Sequence, residues 1–263
     1  MTRSVVSVGR AAAGRALRLG ARVARGLRQR LLPPTGAGGR ADALPAVGRV
    51  RFGDLRRLQP VSRNFGYDRG LPVDRHYIEA FLAGRADDIH GRVLEIGDDS
   101  YTRRFGGVRV TRRDVLHVEP VPVATFVGDL TGADHLPSDA FECVILTQTL
   151  QLIYDTRAAL TTVHRILKPG GRLLATVPGI SQLSDDQWRA YWCWSFTSRS
   201  VRQLLAETFP EGDVIVETRG NVLTAIAFLH GLATEELGPD ELAYHDPAYE
   251  LLITARARKA GGP

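Results

Sequence analysis

The sequence has few residues of the kinds that crosslink a chain or bind a metal. Its 263 residues include two cysteines and seven scattered histidines. Cys143 and Cys193 cannot build a disulfide framework, which suits a reducing compartment such as the cytoplasm. The histidines lack the spacing of metal ligands, so no metal site is predicted. Apolar runs such as Val222–Leu229 are too short to cross a bilayer, which takes about 20 residues.

The net charge of +5 is unevenly distributed along the chain. Residues 1–57 contain 13 arginines and two acidic residues, whereas the remaining 206 residues contain 21 basic and 27 acidic residues. The larger part of the chain is therefore mildly acidic, and no nucleic-acid partner is expected. A hydrophobic content of 44% is sufficient for one domain of about 200 residues with an extension.

Residues 1–32 have the pattern of a basic amphipathic helix, with arginines on one face and leucine and valine on another. Three interpretations are open: a helix that binds a membrane surface or a partner, a targeting peptide, or a flexible arm. The first would place the protein at the inner face of an anionic membrane. Residues 33–57 are predicted as a Pro/Gly-rich linker, largely disordered, and residues 58–259 as the folded domain.

The folded part alternates short apolar runs with amphipathic stretches. Seven runs are predicted as strands: Val93–Ile96, Val115–Val118, Thr125–Val127, Cys143–Thr147, Leu173–Val177, Val214–Glu217 and Leu251–Ala255. Helices are predicted from about Val73, over Ala158–Leu167 and over Ser198–Thr208. The proline and glycines of Lys168–Gly171 predict a tight turn. This alternation is typical of an α/β fold.

Four short motifs follow one another in the second half of the chain. They are Gly128-Asp129, Leu136-Pro137, Phe141-Glu142-Cys143-Val144 and Arg165-Ile166-Leu167-Lys168-Pro169-Gly170-Gly171. Together they resemble the carboxyl half of class I S-adenosylmethionine-dependent methyltransferases of the type 11-like kind. The resemblance implies a Rossmann-like sheet of seven strands with helices on both faces and the last strand antiparallel. It also implies S-adenosyl-L-methionine as the cofactor.

The segment Gly91–Gly97 (GRVLEIG) matches the first motif of that family, but its continuation diverges. The family places a second glycine where this chain has Asp99, and a turn at Tyr101–Phe105 replaces a long helix. Two interpretations follow: the aspartates bind the cofactor and favour its positive charge, or their side chains obstruct the pocket. The cofactor-binding candidates in this motif are Glu95, Gly97, Asp98, Asp99 and Ser100.

Further cofactor-binding candidates follow the other predicted strands. A carboxylate about twenty residues after the first motif can accept hydrogen bonds from ribose hydroxyls; Glu119 is favoured, and Asp114 competes with it. The resemblance implies that Asp129 accepts from the adenine amino group and that Leu130 packs on the ring. The remaining candidates are Gly128, Thr147 and Gln148.

Candidates for the acceptor side lie in two segments. In the amino-terminal helix, which in this family often closes over the cofactor, three side chains are candidates for a catalytic base or a lid contact: His76, Asp74 and Tyr77. Packing within the helix is the alternative for each. After the fifth strand an aromatic segment is similar to those of bacterial methyltransferases of surface-glycan or secondary-metabolite assembly; its substrate-binding candidates are Trp188, Tyr191, Trp192 and Trp194.

The leading hypothesis is a methyltransferase that acts on an oxygen or nitrogen atom of a small molecule or glycan precursor. Methyl transfer mainly needs alignment of the reactants, so a catalytic signature is not required. The alternative is a non-catalytic module of the same fold that serves as a partner domain in a biosynthetic assembly; Asp99 is its main support. A nicotinamide-dependent oxidoreductase is disfavoured because G-x-G-x-x-G is absent. Nucleic-acid methylation is disfavoured because no N/D-P-P-Y/F motif follows the fourth strand.

Overall fold

The structure is a computed structural model that describes residues 44–210 and 213–261. Residues Phe52–Pro263 form one compact unit. The predicted amphipathic helix of residues 1–32 lies outside the described residues, as does the first part of the predicted linker. The part of that linker that is described, residues 44–57, is mostly exposed and contains one short 3-10 turn at Gly53–Leu55.

Seven strands form one sheet within the described residues. They are β1 Gly91–Ile96, β2 Val110–His117, β3 Phe126–Val127, β4 Phe141–Thr147, β5 Leu167–Pro178, β6 Val214–Arg219 and β7 Leu252–Arg258. Their order is β3-β2-β1-β4-β5-β7-β6. Strands β1 to β5 pair in parallel, and β7 is antiparallel to both β5 and β6. The predicted sheet, including its antiparallel last strand, is confirmed.

Helices cover both faces of this sheet. They are α1 Val73–Gly84, α2 Thr156–Ile166, α3 Ser198–Thr208, α4 Val222–Leu229 and α5 Pro239–Ala243. Side chains alternate along β4: Val144 and Leu146 join the cluster with α2 and α3, whereas Cys143 and Ile145 join the cluster with α1 and α4. This alternation follows from the two-residue period of a strand, and both sets are buried because helices lie on each side.

Two predicted element boundaries need correction. Lys168–Gly171 is not a separate turn but a bulged part of β5: Leu167 pairs with Phe141, and the next pair joins Arg172 to Cys143. Gly170 has a φ of +81°, which an L side chain rarely adopts, so the bulge uses the glycine as expected. Strand β2 begins at Val110, five residues earlier than predicted, because its first half is too polar to show an apolar pattern.

Candidate functional site

A large cavity of about 1540 Å³ lies at the carboxyl ends of the parallel strands. Residues that follow β1, β2, β3 and β4 line it, together with the first turn of α1 and residues 184–192. The strand order changes direction between β1 and β4, so the loops that follow these two strands diverge and leave a crevice. Ligand pockets commonly measure about 300–1,000 Å³, so this cavity has room for two ligands.

The loop after β1 is held in place by a buried carboxylate. Glu95 Oε2 accepts hydrogen bonds from the backbone N and the Oγ1 of Thr102, both at 2.7 Å, and Oε1 accepts from Tyr101 N at 3.2 Å. Burial raises the pKa of Glu95 to about 7, despite these hydrogen bonds. Glu95 lines the cavity, but its oxygens are engaged by the loop itself. It therefore shapes the loop rather than leaving both oxygens for a ligand.

The glycine after β1 gives the backbone access to the cavity. Gly97 has a φ of +97°, in the left-handed region that favours glycine, and a Cβ at this position would meet no atom within 4 Å. The backbone of Gly97 therefore faces open space. A bound molecule can approach it closely there.

The divergent acidic residues do not close the cavity. Asp98 and Ser100 line it, and Asp98 Oδ1 accepts from Ser100 N at 2.8 Å. Asp99 lies outside the cavity wall and forms ion pairs with Arg103 at 2.8 Å and Arg113 at 3.4 Å. The structure thus corrects the expectation that Asp99 contacts the cofactor: two arginines hold its carboxylate on the other side of the loop. The Asp99 side chain therefore does not obstruct the cavity, contrary to the second interpretation of this motif.

Glu119 and Asp114, the two candidates for a contact with ribose hydroxyls, differ in burial. Asp114 is 1% exposed in β2, where it pairs with Arg92 at 2.6 Å and Arg112 at 3.1 Å. Glu119 lies in the loop after β2 and lines the cavity. Of the two carboxylates, Glu119 is the one that a ligand in the cavity can reach.

The loop after β3 brings a second carboxylate to the wall. Asp129 and Leu130 line the cavity, and Asp129 Oδ1 accepts from Thr131 N at 2.9 Å. This hydrogen bond caps a short 3-10 turn and fixes the carboxylate. Gly128 does not line the cavity; a Cβ there would lie 2.7 Å from Cε1 of His135, so the glycine permits close packing of that ring.

The end of β4 carries two glutamines with unsatisfied polar atoms. Gln148 has a φ of +47°, which is uncommon for a residue with a side chain and typical of functional sites. Gln151 Nε2 donates to the backbone O of Gln148 at 2.8 Å, and its Oε1 is buried without a partner among the described residues. Gln148 Nε2 also lacks a partner among the described residues. With Thr147 they line the floor of the cavity.

Only part of the predicted catalytic set in α1 reaches the cavity. Asp74 lines it, and so does its neighbour Arg75. Tyr77 is buried and donates from its hydroxyl to Leu242 O at 2.9 Å, while His76 packs edge-on against the Tyr77 ring. Neither His76 nor Tyr77 lines the cavity, because the Tyr77 side chain reaches α5 and His76 lies against the Tyr77 ring.

The aromatic segment forms one wall. Trp188, Tyr191 and Trp192 line the cavity as expected, whereas Trp194 does not. Trp194 stacks on Tyr154 with ring centroids 5.6 Å apart, and Tyr154 lines the cavity in its place. The backbone O of Gln151 accepts from Cys193 N and Trp194 N, at 2.8 and 3.2 Å, which joins this segment to the end of β4.

Several residues of the wall are not among those predicted from the sequence. They are Tyr67, Arg75, Tyr101, Gln151 and Tyr154. Gln151 follows Gln148 by three residues at the end of a buried strand. Of the five residues, it is the one whose spacing could have indicated its position, next to Gln148 in the site. Within residues 44–210 and 213–261, no cluster of His, Cys, Asp and Glu has the geometry of a metal site. No helix in that part of the chain is long and apolar enough to span a membrane.

A model of a known family, described as a methyltransferase domain, matches residues 63–209. The chain belongs to the class I S-adenosylmethionine-dependent methyltransferase family. This membership confirms the predicted family and, at the level of the family, the predicted class of enzyme and the cofactor S-adenosylmethionine. The matched residues run from the loop before α1 to the end of α3, and they include strands β1 to β5.

Relatives of this methyltransferase domain match over shorter stretches. A ubiquinone/menaquinone biosynthesis C-methyltransferase UbiE from Haemophilus ducreyi is 34% identical over 89 residues, 33% of this chain and 28% of the relative. The protein of the same name from Pectobacterium atrosepticum is 43% identical over 51 residues, 18% of this chain and 20% of the relative. The matches thus span about a quarter of these relatives.

Among solved structures, that of the [4+2]-cyclase SpnF superposes with a TM-score of 0.51 at 17% identity. The match covers 74% of this chain and 84% of SpnF. At this identity the likeness shows the fold alone. Activity has to be inferred from the residues of the site.

Proposed function

We propose that this methyltransferase-family chain binds S-adenosylmethionine in the cavity and directs its methyl group to an oxygen or nitrogen atom of a small molecule or glycan precursor. The observation that carries the proposal is the convergence of Gly97, Glu119 and Asp129 on one cavity. These residues follow β1, β2 and β3, three neighbouring strands of the sheet. Polar groups at successive strand ends suit a long ligand that lies across the sheet.

Each of these residues supplies a different interaction. Gly97 allows close approach to its backbone, Glu119 can accept hydrogen bonds from ribose hydroxyls, and Asp129 can accept from an adenine amino group. Leu130 is 3% exposed and offers an apolar contact for a flat ring. Asp98 lines the cavity and brings a negative charge to its wall, which can stabilise a sulfonium cation.

S-adenosylmethionine supplies a methyl carbon that is activated by the neighbouring sulfonium. The residues of the chain have to hold an acceptor atom in line with that carbon and exclude water from it. Gln151 lines the cavity, and its buried Oε1 has no hydrogen-bond partner among the described residues. If the side chain turns toward the cavity, this oxygen can accept a hydrogen bond from an acceptor O–H or N–H. Its placement between the end of β4 and the aromatic segment supports a role in orienting that group.

The acceptor lies, in this proposal, against Trp188, Tyr191 and Trp192. Their rings give flat apolar surfaces that suit a sugar ring or an aromatic acceptor. Asp186 accepts from Ser184 Oγ at 2.6 Å and from Trp188 N at 2.9 Å, which fixes the start of this wall. The alternative, a non-catalytic module, drew its support from Asp99, and the ion pairs of Asp99 with arginines remove that support. Contact of residues 1–32 with a membrane surface stays a prediction from the sequence.

The isosteric change Asp129→Asn tests the cofactor site. Its side-chain oxygen can still cap Thr131 N, so the loop is expected to fold, but the amide then faces the adenine amino group as a donor. In calorimetric titrations with S-adenosylhomocysteine we expect micromolar binding by the wild type and at least a tenfold loss in the variant, about 1.4 kcal/mol.

The matched control is Asp134→Asn, an exposed residue a few positions along the same loop region that does not line the cavity. It should bind like the wild type. Absence of binding by well-folded wild-type protein would instead support the non-catalytic module.

A further inference from the structure

Two adjacent charged residues in the first turn of α1 lie in the cavity with unsatisfied atoms. We propose that Arg75 and Asp74 bind the amino-acid end of S-adenosylmethionine, with Arg75 donating to its carboxylate and Asp74 accepting from its ammonium. The inference rests on the proposed function, because it assigns one end of the same ligand. It accounts for a buried carboxylate and a partly buried guanidinium that the fold itself leaves incompletely paired.

Arg75 is held in position by two tyrosines. Its Nη1 donates to the hydroxyl of Tyr101 at 3.3 Å, and its guanidinium carbon lies 5.9 Å from the centre of the Tyr67 ring. Its Nε is buried and has no hydrogen-bond partner among the described residues. A guanidinium held in one plane at the cavity wall matches the geometry of a carboxylate.

Asp74 is the complementary group. It is 8% exposed, and its Oδ1 has no hydrogen-bond partner among the described residues. Its Oδ2 lies 3.8 Å from Arg75 Nε, which is an ion pair but too long for a hydrogen bond. Burial raises the pKa of Asp74. A ligand that brings both an ammonium and a carboxylate satisfies the two residues at once.

The position of the pair agrees with the rest of the cavity. Tyr101, whose hydroxyl accepts a hydrogen bond from Arg75, follows β1, whereas Asp129 follows β3. Strands lie about 4.8 Å apart, so these strand ends are separated by roughly two strand spacings, about 10 Å. A ligand with its base beside Asp129 therefore extends toward α1. The other arginine of the wall, Arg63, faces the acceptor side and pairs there with Asp185 at 3.6 Å.

The test compares two ligands on the full-length chain by calorimetry. S-adenosylhomocysteine has the amino-acid end, and methylthioadenosine keeps the nucleoside and sulfur but lacks it. We expect Arg75→Met to weaken binding of S-adenosylhomocysteine about 10- to 100-fold and to change binding of methylthioadenosine less than twofold. Asp74→Asn should show the same selectivity with a smaller loss. Arg104→Met, which removes an arginine that pairs with Glu79 of α1 outside the cavity, should affect neither ligand.

A comparison on the wild type needs no variant and covers the case in which Arg75→Met does not fold. Decarboxylated S-adenosylmethionine should bind at least tenfold more weakly than S-adenosylmethionine, and Arg75→Lys, which keeps the charge but not the planar fork, should lose part of this preference. The inference is overturned if Arg75→Met loses the same affinity for S-adenosylhomocysteine as for methylthioadenosine. It is also overturned if the wild type binds S-adenosylmethionine and decarboxylated S-adenosylmethionine equally well. If the wild type binds methylthioadenosine as tightly as the ligands that carry the amino-acid end, the inference alone fails. If the wild type binds none of these nucleosides, the proposed function fails with it.

Discussion

At the scale of single residues, the site depends on carboxylates in different environments. Glu95 is 2% exposed and hydrogen-bonded to its own loop, whereas Asp129 and Glu119 are exposed at the cavity wall. The sequence motif predicted all three as cofactor contacts, because it gives position along the chain but not the partners of each oxygen. Asp99 shows the same limit: Arg113, fourteen residues away, holds its carboxylate, and no local pattern indicates that pairing.

The buried carboxylate gives a pH-dependent stability. Burial raises the pKa of Glu95 from 4.5 to about 7. The folded state therefore keeps a proton that the unfolded chain releases between about pH 4.5 and pH 7, so the free energy of unfolding falls as the pH rises through this window. We expect Glu95→Gln to lack this fall.

Urea denaturation at several pH values measures the difference between wild type and Glu95→Gln. The difference should change by about 3 kcal/mol between pH 4.5 and pH 7, with the wild type losing stability relative to the variant. Other titrating groups are common to both proteins and cancel. A difference that stays constant with pH would show that Glu95 is ionised normally in the folded protein.

At the scale of elements, the apolar pattern of the sequence predicted the buried strands of the sheet well but missed the polar part of a strand. The buried strands β4 and β5 read directly from their apolar runs, but the first half of β2 contains Arg112 and Arg113 and shows no such run. The sequence indicated Asp74 as a candidate at the site but gave no signal for Arg75, its neighbour on α1. The position of Arg75 depends on Tyr67 and Tyr101, which the fold brings to it from outside the helix.

The start of α4 provides a prediction at this scale. Asn221 is 4% exposed; its Oδ1 accepts from Thr224 N at 3.0 Å, and its Nδ2 donates to Glu241 O at 2.7 Å and Tyr244 O at 2.8 Å. Asn221→Asp keeps the cap of α4 but turns two donated hydrogen bonds into repulsion between buried oxygens. We expect a loss of about 2–5 kcal/mol in the free energy of unfolding, measured by chemical denaturation.

The matched control is Asn64→Asp at an exposed position. It should change stability by less than about 0.5 kcal/mol. If the two variants are equally stable, the link from α4 to the end of α5 through Asn221 does not contribute to folding.

At the scale of the whole molecule, the order of the strands determines where a ligand can bind. The reversal between β1 and β4 opens the crevice, and the helices on both faces bury the strands that deliver its residues. This architecture could be predicted from the sequence because motifs and periodicity report on buried strands and their ends. The aromatic wall could be predicted only in part: its tryptophans and Tyr191 stand out in the sequence, but Tyr154 and Gln151 join the wall through contacts with the aromatic segment that no local pattern indicates.

The most direct test of the central claim is a crystal structure of the protein with S-adenosylhomocysteine. The account predicts the nucleoside in the crevice, with the adenine amino group about 2.7–3.2 Å from the Asp129 carboxylate and the ribose hydroxyls at Glu119. Crystals of the folded protein that show this crevice without ligand at saturating concentration, or the nucleoside bound elsewhere, would contradict it.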